Sequence, residues 1–306
     1  KEPIYINNII KNKTEDSFFN SRVLFHFKKN SSAKIILKEN NPKVLSNIVY
    51  EIYIEENSNI DLIIESEKPE TIQILNLGAT INFLKVAAMA KGDFIWFLGD
   101  DDLLVANAIE KLSFLIKKNE NCDFFWVNSY YLNAEYLKKF PKPFNTKYLP
   151  KKMIPHSSLK KDKKLKFFDL ISPKISFDFL LGVYVCVFRK EMWEKNLHVL
   201  DKKLIKDTKT WSNFDNTCFF NKVFSEAFNN SKAYFCAKPL SVNLFGVREW
   251  GNLYPYVEIV RLPELLDYYR SKGLGFFQYI YAKNYSLRNF FNYFFKIIIG
   301  GKKRGL

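Results

Sequence analysis

From Lys34 onward, short apolar runs alternate with stretches whose apolar positions recur at helical spacing. That alternation predicts an α/β fold: a mostly parallel central sheet flanked by helices, ending in a helical C-terminal segment. Ile35-Ile36-Leu37 reads as a strand, about Pro42 to Glu55 as a helix, and Asp61 to Glu65 as a second strand. A strand at Thr71 to Leu75 and an alanine-rich helix over about Thr80 to Ala90 follow. Phe94 to Leu98 is wholly apolar between Gly92-Asp93 and Gly99-Asp100, as expected of a strand buried on both faces at the sheet centre. Ile109, Leu112, Leu115 and Ile116 form a helical stripe, Cys122 to Val127 and Tyr184 to Phe188 read as strands, and Asp215 to Phe228 reads as a helix. Residues 1–32 read as a polar, irregular extension, 136–170 as a basic loop, and 271–306 as a basic aromatic tail; 33–135 and 171–270 are the two halves of the fold. No internal repeat is evident.

With 306 residues and 47% apolar content, the chain can bury a substantial core. Its net charge of +15 favours an anionic partner: a nucleotide, a phospholipid surface or a nucleic acid. Cys122, Cys186, Cys218 and Cys236 are widely spaced with no C-x-x-C pair, so they are expected to be free, buried thiols in a reducing compartment. No secretory signal opens the sequence, and no apolar run approaches the roughly 20 residues that span a bilayer. His26, His156 and His198 show no metal-ligand spacing and receive no role.

The chemistry concentrates in Gly92 to Asp102, which places Asp100, Asp101 and Asp102 at the carboxyl end of the apolar strand. Ligand crevices of open α/β sheets form there. Adjacent carboxylates repel one another, and a divalent cation relieves that repulsion while bridging diphosphate oxygens and stabilising a diphosphate leaving group. The alternative is that Asp102 caps the following helix and its neighbours are merely solvated.

Asn76-x-Gly78-x-x-x-Asn82, then Gly92-Asp93, the apolar strand and Asp100-Asp101-Asp102 together resemble glycosyltransferase family 2. The likeness runs from Asp61 to Asn128, with a fainter echo to about Asp267. Val187-Phe188-Arg189-Lys190-x-x-Trp193 and Phe245-Gly246-x-Arg248-Glu249-Trp250 look most similar to the abequosyltransferase-like branch of bacterial surface-glycan enzymes. The resemblance implies a glycosyltransferase A (Rossmann-like) fold, with 33–135 as the nucleotide-sugar-binding half and 171–270 as the acceptor-binding half. It implies Mn2+ or Mg2+ on Asp100 and Asp102, and donor contacts from Asp100, Asp101, Asn76, Gly78, Asn82 and Glu65 or Glu67. The family's Pro-Thr-x-Asn-like turn is replaced here by Leu37 to Pro42, which retains only an asparagine, and the family's Asp-Asn-x-Ser sequence is absent.

A carboxylate must also take the proton of the attacking hydroxyl. By position Asp215 is the candidate, with Asp207 in reserve; Asp215 also suits a helix N-cap. Asn76 and Asn82 suit turn and cap positions as well as a nucleotide-binding loop. Arg248 and Trp250 suit an acceptor pocket, a phosphate contact and a sugar-stacking face, or surface packing.

Gly275 to Leu306 contains no acidic residue, while Lys283, Arg288, Lys296, Lys302, Lys303 and Arg304 are interleaved with ten Phe and Tyr residues. That composition suits the headgroup layer of an anionic membrane, a core-packing helix or an oligomer contact. The expected activity is therefore metal-assisted, inverting sugar transfer from a nucleoside diphosphate sugar to a lipopolysaccharide, lipooligosaccharide or capsular glycan. It would occur in the cytoplasm, at the inner face of the bacterial inner membrane, without a nucleic-acid partner. The alternatives are a non-catalytic basic membrane- or anion-binding protein and a nucleotidyltransferase; for the latter, no glycine-rich phosphate loop is present.

Overall fold

The structure is a computed structural model that describes residues 18–30, 32–39, 45–54, 59–66, 79–99, 102–139, 148–207, 209, 211–246, 251 and 253–300. The chain divides into two compact units, 1–75 and 76–306.

In the first unit, β1 (Phe18–Phe27) pairs in parallel with β3 (Leu45–Ile54), and β2 (Ser32–Glu39) pairs in parallel with β4 (Asn59–Ser66). Consecutive strands thus enter different sheets, and each pairs with the strand two places on. Asn30, in the turn after β1, has the left-handed φ of 62° that asparagine tolerates. Both ladders hold the same stagger: Phe18 opposes Leu45 and Ser32 opposes Asn59, each 27 positions apart. The described strands of this unit thus recur at a spacing of 27 residues, which the sequence reading did not anticipate. Its sequence signal is faint, because few positions are identical and several exchange charge, with Lys34 opposite Asp61 and Lys38 opposite Glu65. The helix expected over 42–55 is instead β3, where Ile48, Val49, Tyr50, Ile52, Tyr53 and Ile54 favour extended backbone. Part of the stretch read as irregular extension is β1, and the strand expected at 71–75 lies outside the described residues.

The second unit is an α/β layered body. Its strands are β5 (Phe94–Trp96), β6 (Asp102–Leu104), β7 (Phe124–Asn133), β8 (Ile154–Pro155), β9 (Lys163–Lys166), β10 (Cys186–Arg189) and β11 (Lys232–Phe245). They form one sheet in the order β5-β10-β7-β11-β6, with β8 added to β7 and β9 to β11. The long ladder β7–β11 is parallel and the short ladders are antiparallel. The longest ladders of the chain are thus parallel, as expected, but the sheet of this unit is mixed and the expected single sheet is divided among three. β5 ends this sheet among the described residues and is not its centre. That place belongs to β7, whose Phe124, Phe125, Trp126 and Val127 are all fully buried.

Alternation along β7 sends Phe124 and Trp126 to one face and Phe125 and Val127 to the other. On the first face lie α5 (Phe219–Ala227) and α7 (Leu262–Ser271), through Phe224, Leu265 and Leu266. On the second lies α2 (Ala108–Lys118), through Ala108 and Leu112. A strand covered on both faces must be apolar at every position, which explains the Phe124 to Val127 run. Trp126 stacks on Phe235 of β11 at 5.0 Å and 19°. The expected helices over 80–90 and 215–228 are α1 (Ala79–Met89) and the pair α4 (Phe214–Thr217) and α5, interrupted at Cys218. All four cysteines are buried and free, and burial pushes the Cys236 thiol up to about 12. No helix among the described residues is long and apolar enough to cross a membrane.

Candidate functional site

β5, β7 and β11 point in one direction, and their carboxyl ends bring together the segments that carry the candidate chemistry. After β5 the chain turns through 99–102: Asp102 N–H donates to Gly99 O at 3.1 Å, and Gly99 N–H donates to Asp102 Oδ2 at 2.8 Å. Positions 100 and 101 lie outside the described residues. Asp102 then opens β6 opposite Asn243 of β11, whose amide donates to Asp102 Oδ1 at 2.7 Å. It is therefore no helix cap. The N-cap of α2 is Asn107, in a left-handed conformation with φ 60° and without a side-chain cap bond.

The row continues across the sheet. Asn243 opposes Tyr131 of β7, and Tyr131 opposes Ile154 of β8, so Asp102, Asn243 and Tyr131 share one face. The Tyr131 hydroxyl is hydrogen-bonded to His156 Nδ1, which Tyr184 Oη also approaches at 3.0 Å. His156 Nε2 faces Ser176 Oγ at 3.4 Å and Asp178 Oδ1 at 3.8 Å, and Ser176 donates to Asp178. Gly182 N–H donates to the other Asp178 oxygen at 3.0 Å. Nδ1 of His156 thus faces the two phenols, and Nε2 faces Ser176 and Asp178. The imidazole is fully buried and stacked on Phe177 at 5.1 Å.

Burial works to raise the Asp178 pKa. The charge of His156 and hydrogen bonds from His156, Ser176 and Gly182 outweigh it and hold the carboxyl below its usual range. Burial, with the Tyr131 and Asp178 charges, pushes the Tyr184 phenol well up. Asn128 braces this region: its amide donates to Ser157 O at 2.9 Å and Ala237 O at 2.8 Å, and its oxygen accepts from Ser129 N and Ser157 N, both at 3.0 Å. It sits beside the break in the β7–β11 register between Cys236 and Ser241.

Asp215 lies in the first turn of α4, whose N-cap is Asn213, accepting from Asn216 N at 2.9 Å. The cap alternative for Asp215 is thereby replaced. Asp215 is buried, its oxygens lie 2.9 and 2.8 Å from Lys222 Nζ, and Oδ2 also accepts from Asp201 N at 2.8 Å. Asp207 accepts from Ser212 Oγ at 2.5 Å and Lys209 N at 2.9 Å, and these bonds hold its carboxyl below the usual range. Thr80 Oγ1 donates to Asn216 O at 3.2 Å, so the start of α1, which carries Asn82, meets the Asp207 to Asp215 segment. Trp211 of that segment contacts Tyr254 at 6.2 Å, and Tyr254 in turn acts on Tyr184.

Asp100, Asp101, Asn76, Gly78, Glu67, Arg248 and Trp250 lie outside the described residues, and Glu65 lies in β4 of the first unit. Among the described residues no cluster of three or more His, Cys, Asp or Glu side chains could hold a metal ion. Asp102 suits a cation in that bonds from Asn243 and Gly99 orient its carboxylate. Sequence reasoning missed Tyr131, His156, Asp178, Tyr184 and Asn243, because only the tertiary fold brings them together: register pairs Asn243 with Tyr131, and side-chain contacts gather the others around His156.

No family profile matches the chain, and no curated protein matches it in sequence. Among solved structures it is similar to S. aureus TarS 1–349 in complex with UDP, at 10% identity and TM-score 0.42 over 89% of this chain and 72% of that one. The TarS 1–349 structure gives 10% identity and TM-score 0.43 over 93% and 74%, and S. aureus TarS gives 9% and 0.37 over 85% and 44%.

Proposed function

We infer that the protein transfers a sugar from a nucleoside diphosphate sugar to a hydroxyl of a bacterial surface or lipid-linked glycan, with inversion at the anomeric carbon. The observation that carries this reading is the oriented carboxylate of Asp102 at the carboxyl end of the β5 segment, fixed by Asn243 and in line with Tyr131. Asp100 and Asp102 would hold Mn2+ or Mg2+, which would supply positive charge to stabilise a diphosphate leaving group. The loop carrying Asn76, Gly78 and Asn82, with Asp101, would complete the donor site. Arg248 and Trp250, which follow β11, would face the acceptor at an anionic membrane surface.

The attacking hydroxyl must lose its proton as its oxygen bonds to the anomeric carbon. Asp215 and Asp207 are the carboxylates proposed to receive it. Asp215 would do so only by giving up contact with Lys222. Asp207 needs no such rearrangement, although its lowered pKa weakens it as a base.

The test is release of nucleoside diphosphate from UDP-, GDP-, CDP- and dTDP-sugars with Mn2+, by the natural protein and by Asp102→Ala. Turnover of one donor class, abolished by the substitution, supports the transferase. No turnover of any donor, with or without glycolipid acceptor, leaves a basic anion- or membrane-binding protein as the better account of the +15 charge.

A further inference from the structure

The C-terminal helices α8 (Phe276–Ser286) and α9 (Phe290–Gly300) turn apolar side chains toward solvent. On α9, Phe291 is 73% exposed, Phe295 56%, Ile298 62% and Ile299 84%, positions that share one helical face. Phe277 on α8 is 87% exposed. On its inward side α9 presents the half-buried Tyr293 and Ile297. A solvated helix has the reverse polarity, so this outward face requires a cover.

We propose that this face docks into the headgroup layer of an anionic lipid bilayer. Three observations select that occupant. No acidic residue occurs from Gly275 to Leu306, while Lys296 lies on α9 and Lys302, Lys303 and Arg304 follow it in the sequence. Lys296 lies over the Tyr293 ring at 5.3 Å, on the flank of the apolar arc, where an amphipathic helix lying in the interface carries its cations. At 11 residues, α9 is about 16 Å long, half of the hydrocarbon core of about 30 Å, so it lies in the interface and does not span it.

Glu258 belongs to a π-helical turn, Val257–Arg261, which follows α6 (Tyr254–Tyr256). α9 packs against both α6 and this turn. On the transferase reading, docking would bring a lipid-carried acceptor toward the site; the docking itself does not depend on that reading.

The test is flotation of the whole chain with vesicles of phosphatidylcholine alone and of phosphatidylcholine with phosphatidylglycerol. The natural protein should float with the anionic vesicles only. Phe291→Ser with Ile298→Ser, and separately Lys296→Glu with Lys303→Glu, should each weaken binding at least about tenfold. Melting temperature and nucleoside diphosphate binding should stay unchanged, since Phe291, Lys296 and Ile298 are exposed on α9. Three results would overturn the proposal: no flotation with either vesicle, undiminished flotation of both variants, or a dimer that the serine variant splits without any vesicle binding. Flotation without diphosphate binding would sink the transferase reading alone.

Discussion

The amide of Asn243 donates to the carboxylate of Asp102 at 2.7 Å across the β6–β11 ladder, fixing the one described member of the aspartate triplet to a buried strand. Asn243→Ala removes that restraint while leaving the carboxylate in place. Metal-dependent diphosphate binding is expected to fall about tenfold, as for loss of an outer partner of a metal ligand. Stability should drop by about 1 kcal/mol, the usual worth of such a bond. Calorimetric titration and thermal melting read the two effects separately.

Asp178 provides a pH signature. Its folded pKa lies below the 3.8 of the free side chain, so the unfolded chain binds more protons as acid is added. The stabilisation is fully present above that value and is lost as pH falls through the folded pKa. Melting curves from neutral pH to about pH 3 should show the natural protein losing stability more steeply than Asp178→Asn. Parallel curves would contradict the assignment.

His156→Gln tests the same network from its centre. Deleting one partner leaves Asp178 buried beside an uncharged amide, and loss of a buried partner of this kind costs about 3 kcal/mol or more. Tyr131→Phe removes only a hydroxyl and should cost about 1 kcal/mol. Chemical denaturation that ranks the two variants in the opposite order would show that the imidazole is not the hub.

Lys222→Met and Asp215→Asn separate the roles of Asp215. If Asp215 only anchors α4 to the Asp201 turn and to Lys222, both variants lose similar stability and retain turnover. If it also receives the proton, Asp215→Asn loses turnover by about a hundredfold or more while Lys222→Met keeps it. Steady-state rates at matched folded fractions decide between them.

Gly182 has no room for a side chain: a methyl group would sit 2.7 Å from Asp178 Oδ2 and 2.9 Å from Tyr184 Cε1. Gly182→Ala should cost about 1–3 kcal/mol through this overpacking and displace the two groups that flank His156. The melting temperature and the acid dependence of stability should change together.

Local patterning was a good guide wherever it alone determines structure. The runs at Phe94 and at Phe124 to Val127 are strands, and the stripe Ile109 to Ile116 is a helix, because burial on two faces or on one leaves those signatures. Leu45 to Ile54 misled, since its apolar spacing also suits a helix while its β-branched and aromatic content favours a strand. The candidate site was half legible: the Asp102 segment announces itself by charge at a strand end. Its partners do not, because Asn243 lies 141 positions away and His156 reaches Tyr131 only through the pairing of β7 with β8.

The most direct test of the central claim is calorimetric titration of UDP, GDP, CDP and dTDP, with and without Mn2+, into the natural protein, Asp100→Ala and Asp102→Ala. The account predicts that one diphosphate binds only with Mn2+ and that both substitutions abolish its binding. Binding that is indifferent to Mn2+ and survives both substitutions, or no binding of any diphosphate, would contradict it.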